Sequence, residues 1–286
     1  MRVAILPYEL RSERDLSAIS LGQLDWPGQA VPQQGTVASL TAQDHLVVYP
    51  SSVRLLHGLG AVSCQVSLLL AEPLAIQRRY YRSLWLLRHK FKYILCRYGY
   101  YAGKYANVLQ LPVVEAWVNA DLIQIPQLKS SFCSLIASAK QNLAGHKLRH
   151  QMVAQVNAFG LDVAVLGRGY QPFENKQDGL LNYRYSVVIE NVREPDYFTE
   201  KLLGCMLCGA LPIYWGAPNI GDYFDVSGMV LCENAADIEQ AMADNNQKPS
   251  WLQTEAMERN REIAISLSQL QPRIVLAIQH KEVTQK

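Results

Sequence analysis

No apolar run in this chain of 286 residues approaches the ~18–20 residues that span a bilayer; stretches such as Leu68-Leu69-Leu70-Ala71 are strand-sized. The opening residues MRVAILPYEL lack the basic segment and long apolar core of a secretory signal. The expectation is therefore a cytoplasmic protein whose six scattered cysteines are reduced thiols. Three motif classes are also missing. There is no G-x-S-x-G elbow for a serine hydrolase and no G-x-G-x-x-G dinucleotide turn, since Gly167-Arg168-Gly169 has the wrong spacing, although that loop could still approach a nucleotide at the sheet edge. There is no Asp-x-Asp pair to hold a divalent ion. The six histidines show no metal-ligand spacing, and Cys205-x-x-Cys208 has no second pair, so both cysteines read as small residues on an apolar helix.

Acidic residues are missing from one whole region. Net charge is only +2, yet nothing between Glu72 and Glu115 is acidic, while that stretch holds eight basic residues. The remainder of the chain is left with 19 basic against 25 acidic side chains. Aromatics interleave the basic stretch, among them Tyr80, Tyr81, Trp85, Phe91 and Tyr93. One reading is an amphipathic helix from about Ile76 to Leu95, with Leu84, Leu87, Phe91 and Leu95 on its inner face. Residues 76–104 would equally suit an anionic substrate or peripheral contact with an anionic membrane. No nucleic-acid-binding motif accompanies the patch, so nucleic acid is not expected as a partner.

What is present is a hydrophobic fraction of 49%, enough for a substantial core, arranged as strands alternating with helices. Strands are expected at Val3–Leu6, His45–Tyr49, Gln65–Leu70 and Asn107–Leu111, then at Ser131–Ser138, Asp162–Leu166, Ser186–Glu190, Leu211–Trp215 and Met229–Cys232. Helices are expected at Lys147–Phe159, Thr199–Cys208, Ala235–Ala243 and over 251–269. That alternation predicts parallel sheets in an α/β fold of two domains, 1–128 and 129–286, with the last helix free to return to the first.

The chemistry concentrates between Tyr183 and Asp225. An apolar strand ends in Glu190-Asn191, at the carboxyl edge where open parallel sheets bind ligands. Thr199 is a natural N-cap, and the helix start it caps offers free N–H groups and partial positive charge to a diphosphate. Lys201 adds a full cation there. The following strand runs into Gly216-Ala217-Pro218, a turn that lets backbone approach a ligand.

This segment resembles the α1,3/4-fucosyltransferases. The resemblance rests on Ile189-Glu190-Asn191, Tyr197-Phe198-Thr199-Glu200-Lys201 and Pro212-Ile213-Tyr214-Trp215-Gly216-Ala217-Pro218, about 45 residues in all. It extends loosely back through Lys129–Cys133 and Arg149 to Glu72-Pro73. Two departures stand out: Ile189 replaces the usual aromatic, and the N-terminal half is short and weakly similar.

The resemblance implies a GT-B fold, two Rossmann-like domains facing a central cleft, with the C-terminal domain binding GDP-fucose. It implies that Arg149 and Lys201 contact the donor diphosphate, that Glu200 holds ribose or fucose hydroxyls, and that Glu190, Asn191 and Tyr197 belong to the donor site. The general base it implies is Glu72, with Glu115 as the next choice.

The expected activity is inverting transfer of L-fucose to a hydroxyl of a glycan or lipid-linked oligosaccharide, with no cofactor and no essential metal. The cytoplasmic chain would then work at the inner membrane face. Two alternatives stay open: a glycosyltransferase of the same fold using another nucleotide sugar, and a non-catalytic glycan- or nucleotide-binding homologue.

Overall fold

The computed structural model describes residues 1–51, 59, 62–244 and 251–284. The chain divides into two compact units, Met1–Val113 with Leu270–Lys286, and Val114–Gln269.

The first unit is built on a parallel sheet of β1 (Val3–Ile5), β2 (His45–Val48), β3 (Gln65–Leu70), β4 (Ile94–Cys96) and β5 (Val108–Gln110), in that spatial order. The strands are short, and the inner ones are largely apolar because both faces are covered. On one face Leu46, Val48, Leu68, Leu70 and Ile94 pack against Tyr80, Tyr81, Leu84 and Leu87. On the other, Val47, Leu69 and Leu95 meet Leu270, Ile274 and Ile278. The helices involved are α1 (Leu74–Arg82), α2 (Leu84–Leu87), α3 (Gly99–Lys104) and the C-terminal α8 (Leu270–Thr284).

The single helix expected over 76–95 is replaced by two short ones and a strand. Gln77 leaves helical geometry (φ −101°, ψ 26°), and Ser83 separates α1 from α2. Leu95 lies on β4, where the apolar Ile94-Leu95-Cys96 is buried on both faces between β3 and β5. All four residues of the expected stripe are buried, but they lie on α2, on the connection after it and on β4, so helical spacing alone misread their origin.

The second unit has a parallel sheet in the order β10-β9-β8-β6-β7, from β6 (Ser131–Ile136), β7 (Val163–Leu166), β8 (Tyr183–Ile189), β9 (Leu211–Trp215) and β10 (Val230–Leu231). Helices α4 (Ala144–Phe159) and α6 (Ala235–Ala243) cover one face; α5 (Glu200–Leu207) and α7 (Trp251–Leu267) cover the other. Alternation along β8 serves both, with Val187 and Ile189 toward α4 and Val188 toward α5. Burying such side chains stabilises by roughly 1.5–3 kcal/mol each relative to exposure.

This unit begins at Val114 because Val114, Val118 and Ile123 pack into the core beneath α5, some fifteen residues before the boundary expected near 128. The expected helix over 251–269 closes at Leu267, and α8 belongs to the first unit. Inside α7, the buried Asn260 accepts from Asp225 N and donates to Asp225 O, both at 2.8 Å.

Cys205 on α5 and Cys208 at its C-cap lie buried as free thiols, and burial pushes Cys208 up to about 11. No helix among the described residues is long and apolar enough to cross a membrane.

Candidate nucleotide-sugar site

The chain order places the site. From β6 the chain moves outward to β7, then returns to the other side of β6 to form β8. The carboxyl ends of β6 and β8 therefore flank the position where the strand order reverses, which is where open α/β sheets hold ligands. A cavity of about 490 Å³ opens there, a volume suited to a nucleotide-sized ligand.

Its floor is Val187–Ile189 and its rim comes from the loops after β6, β7 and β8 and the start of α5. Gly167, just after β7, has φ +122°, and a Cβ there would collide with the Ala137 carbonyl, so only glycine lets this loop lie against the end of β6.

Of the expected donor residues, Arg149, Asn191, Glu200 and Lys201 line this cavity. Arg149 projects from α4 and is 6% exposed; its Nη2 donates to Asn191 Oδ1 at 2.6 Å. Burial pushes this guanidinium below its ordinary value, and Glu190, Tyr197 and Glu200 oppose that shift. Its Nε is buried without a hydrogen-bond partner among the described residues. A buried donor left open on a cavity wall is costly unless a ligand acceptor satisfies it.

Lys201 is held by three oxygens. Its Nζ donates to Thr199 Oγ1 at 2.9 Å and lies 3.2 Å from Glu200 Oε1 and 3.4 Å from Glu190 Oε2.

Glu190 and Tyr197 stand differently. Neither lines the cavity; Glu190 is wholly buried and Tyr197 is 2% exposed. Glu190 Oε1 accepts the Thr199 amide at 2.8 Å and its Oε2 accepts the Thr199 hydroxyl at 2.7 Å. It thus positions the start of α5 from behind.

The remaining expected residue, Glu72, is exposed just after β3 in the first unit, where its N–H donates to Gln77 Oε1 at 3.3 Å. It lines a separate cleft of that unit. Glu115 is exposed in the second unit.

Sequence reasoning missed Lys140, Lys176, Trp117 and Phe173 among the cavity's side chains, whereas Arg168 stands in the loop it expected near the nucleotide. Lys140, Arg168 and Lys176 bring its cations to five, against the carboxylates of Glu174 and Glu200. The ammonium of Lys176 sits 4.9 Å over the Trp117 ring and 5.5 Å from the Phe173 ring. Burial lowers its pKa, partly offset by Glu200. His146 is also on the wall, and burial and then Arg149 and Lys140 push its pKa down, favouring a neutral ring.

The signal for Lys140 and Arg168 was topological, since both follow strands at the sheet's carboxyl edge. Trp117 lies before the boundary expected at 128, yet it belongs to the second unit.

Two parallel sheets in two units, with a cation-rich cavity at the second one's reversal point, have the architecture of the GT-B fold. Residues 128–230 match the family model described as glycosyltransferase family 10 (fucosyltransferase), C-terminal part, and the resemblance read from the motif is borne out over that span. The chain is 25% identical over 119 residues to a putative fucosyltransferase-like protein of Arabidopsis thaliana, covering 41% of this chain and 23% of the relative. It is 28% identical over 69 residues to the alpha-(1,3)-fucosyltransferase FucT of Helicobacter pylori, covering 24% of this chain and 14% of the relative. Over 65 residues it is 43% identical to the alpha-(1,3)-fucosyltransferase B of Drosophila melanogaster, covering 23% and 15%. The matched part is therefore less than a quarter of each relative's length. Among solved structures, a mutant of S. aureus TarM shares the fold with a TM-score of 0.58 at 9% identity, over 84% of this chain and 55% of that one.

Proposed function

We propose that this chain transfers L-fucose from GDP-fucose to a glycan hydroxyl with inversion at the anomeric carbon. The observation that carries the reading is the meeting of Arg149, Asn191, Glu200 and Lys201 on one cavity wall at the strand-order reversal.

In this reading the donor diphosphate lies against Arg149, whose buried Nε has no hydrogen-bond partner among the described residues, and against Lys201 at the start of α5. As the glycosidic bond breaks, negative charge grows on the leaving diphosphate, and fixed cations in a partly dry site stabilise it without solvent reorganisation. Glu200 and Asn191 hold hydroxyls of the donor. Glu190 and Tyr197 do not touch the donor in this scheme; they hold the loop that does. The acceptor hydroxyl gives its proton to Glu72 as its oxygen attacks the sugar from the face opposite the leaving group. No divalent ion is assigned to the diphosphate, because the cavity's own five cations outnumber its two carboxylates and can balance the leaving group.

The partners follow from the chemistry: a nucleotide sugar and a glycan or lipid-linked oligosaccharide. A cytoplasmic position at the inner membrane face is part of the proposal, supported by exposed Trp85 and Leu86 beside Arg82 and Lys90.

The deciding test is a thermal-shift screen of GDP-fucose, GDP-mannose, UDP-sugars and CMP-sugars. Selective stabilisation by GDP-fucose is expected, rising with ligand concentration as mass action requires. Selective stabilisation by a UDP- or CMP-sugar would replace the donor in this reading.

A further inference from the structure

The first unit has its own cleft, of about 420 Å³, at the carboxyl edge of its sheet. Tyr8, Arg11 and Ser12 come from the turn after β1, Pro50 and Ser51 from the end of β2, and Glu72 follows β3. The first two turns of α1 add Gln77, Arg79 and Tyr80. Glu72 is the only carboxylate among the lining residues, against two guanidinium groups.

Both guanidinium groups are preset by a tyrosine rather than by an acid. The Arg11 Cζ lies 3.9 Å from the centre of the Tyr8 ring, and its Nη1 donates to the Tyr8 carbonyl at 2.9 Å. Arg79 Nη2 donates to the Tyr80 hydroxyl at 2.6 Å, with its Cζ 4.6 Å from that ring's centre. Among the described residues, no carboxylate lies within ion-pair distance of either one. The nearby basic stretch brings no compensation, since nothing from Pro73 to Val114 is acidic. Two held guanidinium groups with no ion-pair partner among the described residues match the planar, multidentate geometry of a phosphate or carboxylate. A neutral sugar would give them hydroxyl partners only, and would leave their charge unanswered.

We propose that the acceptor is an oxyanion-bearing saccharide, one that carries a phosphodiester or a carboxylate beside its reactive hydroxyl, and that Arg11 and Arg79 read that oxyanion. The word acceptor rests on the reading of Glu72 as the base; the oxyanion preference itself rests on the cleft. Arg11 and Arg79 are specificity-determining residues in this scheme, and Glu72 stays free to take the proton.

The test is calorimetric titration of the full chain with cellobiose, cellobiose 1-phosphate and cellobiouronic acid, at 50 and 300 mM salt. At least one anionic probe should bind tenfold or more tighter than cellobiose at low salt, with the advantage shrinking at high salt as screening grows. Preference for the phosphate alone assigns a phosphate-bearing acceptor; equal gains for both probes assign oxyanions in general. Arg11→Gln with Arg79→Gln should abolish the advantage while leaving affinity for GDP-fucose unchanged. Equal binding of all three probes, or an advantage that survives in the double variant, overturns the proposal. Separate titration with GDP-fucose keeps the two readings apart. Lost donor binding with an intact oxyanion preference rejects fucosyl transfer alone, and the reverse rejects this inference alone.

Discussion

Glu190 and Thr199 form a two-point clasp: one carboxylate oxygen accepts the Thr199 amide at 2.8 Å and the other its hydroxyl at 2.7 Å. The carboxylate is wholly buried and the threonine is the N-cap of α5, whose side chain accepts from Lys201 N. The acid at the end of β8 therefore fixes the threonine that starts the helix, and the threonine in turn holds Lys201.

Glu190→Ala should for that reason act on stability as well as on the site. It strips a buried amide and hydroxyl of their acceptor, a loss of about 2–4 kcal/mol. Thermal melting should fall by roughly 5–15 °C, and donor affinity should fall with it. Glu190→Gln can still accept one of the two bonds and should melt between the wild type and the alanine variant. An alanine variant that melts like the wild type would show that the clasp contributes nothing.

Arg149→Ala and Lys201→Ala should lower turnover by a hundredfold or more, the scale of removing one stabiliser of transition-state charge. The two should differ in salt response. Arg149 is 6% exposed, whereas the Lys201 side chain is 27% exposed and more open to screening. Single-turnover rates at two ionic strengths check this, and near-wild-type rates for both would reject the diphosphate role.

Glu72→Gln should leave GDP-fucose affinity within about twofold of wild type, because Glu72 lies in the first unit and the donor cavity in the second. Transfer should drop by ~100-fold or more, in line with loss of a general base. Normal transfer by this variant would move the role to another carboxylate.

Much of this was legible in the sequence because the second unit obeys local rules. Helix Ala235–Ala243 and strand Leu211–Trp215 fall at their expected limits, and the Glu-Asn and Thr-Glu-Lys elements fall at one sheet edge. The first unit was harder. Leu84, Leu87, Phe91 and Leu95 keep helical spacing although tertiary packing distributes them over a short helix, an irregular connection and a strand. The boundary was misplaced for a similar reason, since 114–128 lacks long regular elements and is recruited by Val118 and Ile123 to the core under α5. The different duties of Glu190 and Asn191 were not visible either. Adjacent residues at a strand end point to opposite sides, and only the packing decides which side is the cavity.

His45 supplies a pH dependence. It is 2% exposed on β2, stacked on Tyr93 at 6.0 Å, with Nε2 3.8 Å from Glu282 Oε1. Burial lowers its pKa. Glu282 and Asp44 act against that shift, while Lys92 and the N-terminal amine reinforce it. The unfolded histidine therefore takes up a proton before the folded one does. Its contribution is complete above the unfolded value of about 6.5 and is lost as pH falls from there through the lower folded value, by at most ~1.4 kcal/mol per pH unit. Melting of the first unit should thus drop as pH falls below about 6.5, and His45→Phe should flatten that drop. An unchanged slope in the variant would assign the acid sensitivity elsewhere.

Gly145→Ala sets helix propensity against packing. In the first turn of α4, alanine would be favoured over glycine by up to about 1 kcal/mol on propensity alone. Here, however, a Cβ would collide with the Glu190 carbonyl oxygen, on the backbone that positions the clasp, and Gly145 N already donates to the Asn191 carbonyl at 2.9 Å. Neither partner is a flexible side-chain tip, so relief requires a shift of the α4 start or of the loop after β8. Overpacking of this kind costs about 1–3 kcal/mol or more, which outweighs the propensity gain. The variant should melt below wild type and bind GDP-fucose more weakly, because the same shift moves Asn191 away from Arg149. If Gly145→Ala were instead stabilising, α4 and the Glu190-Asn191 corner would have to be less tightly joined than the structure has them.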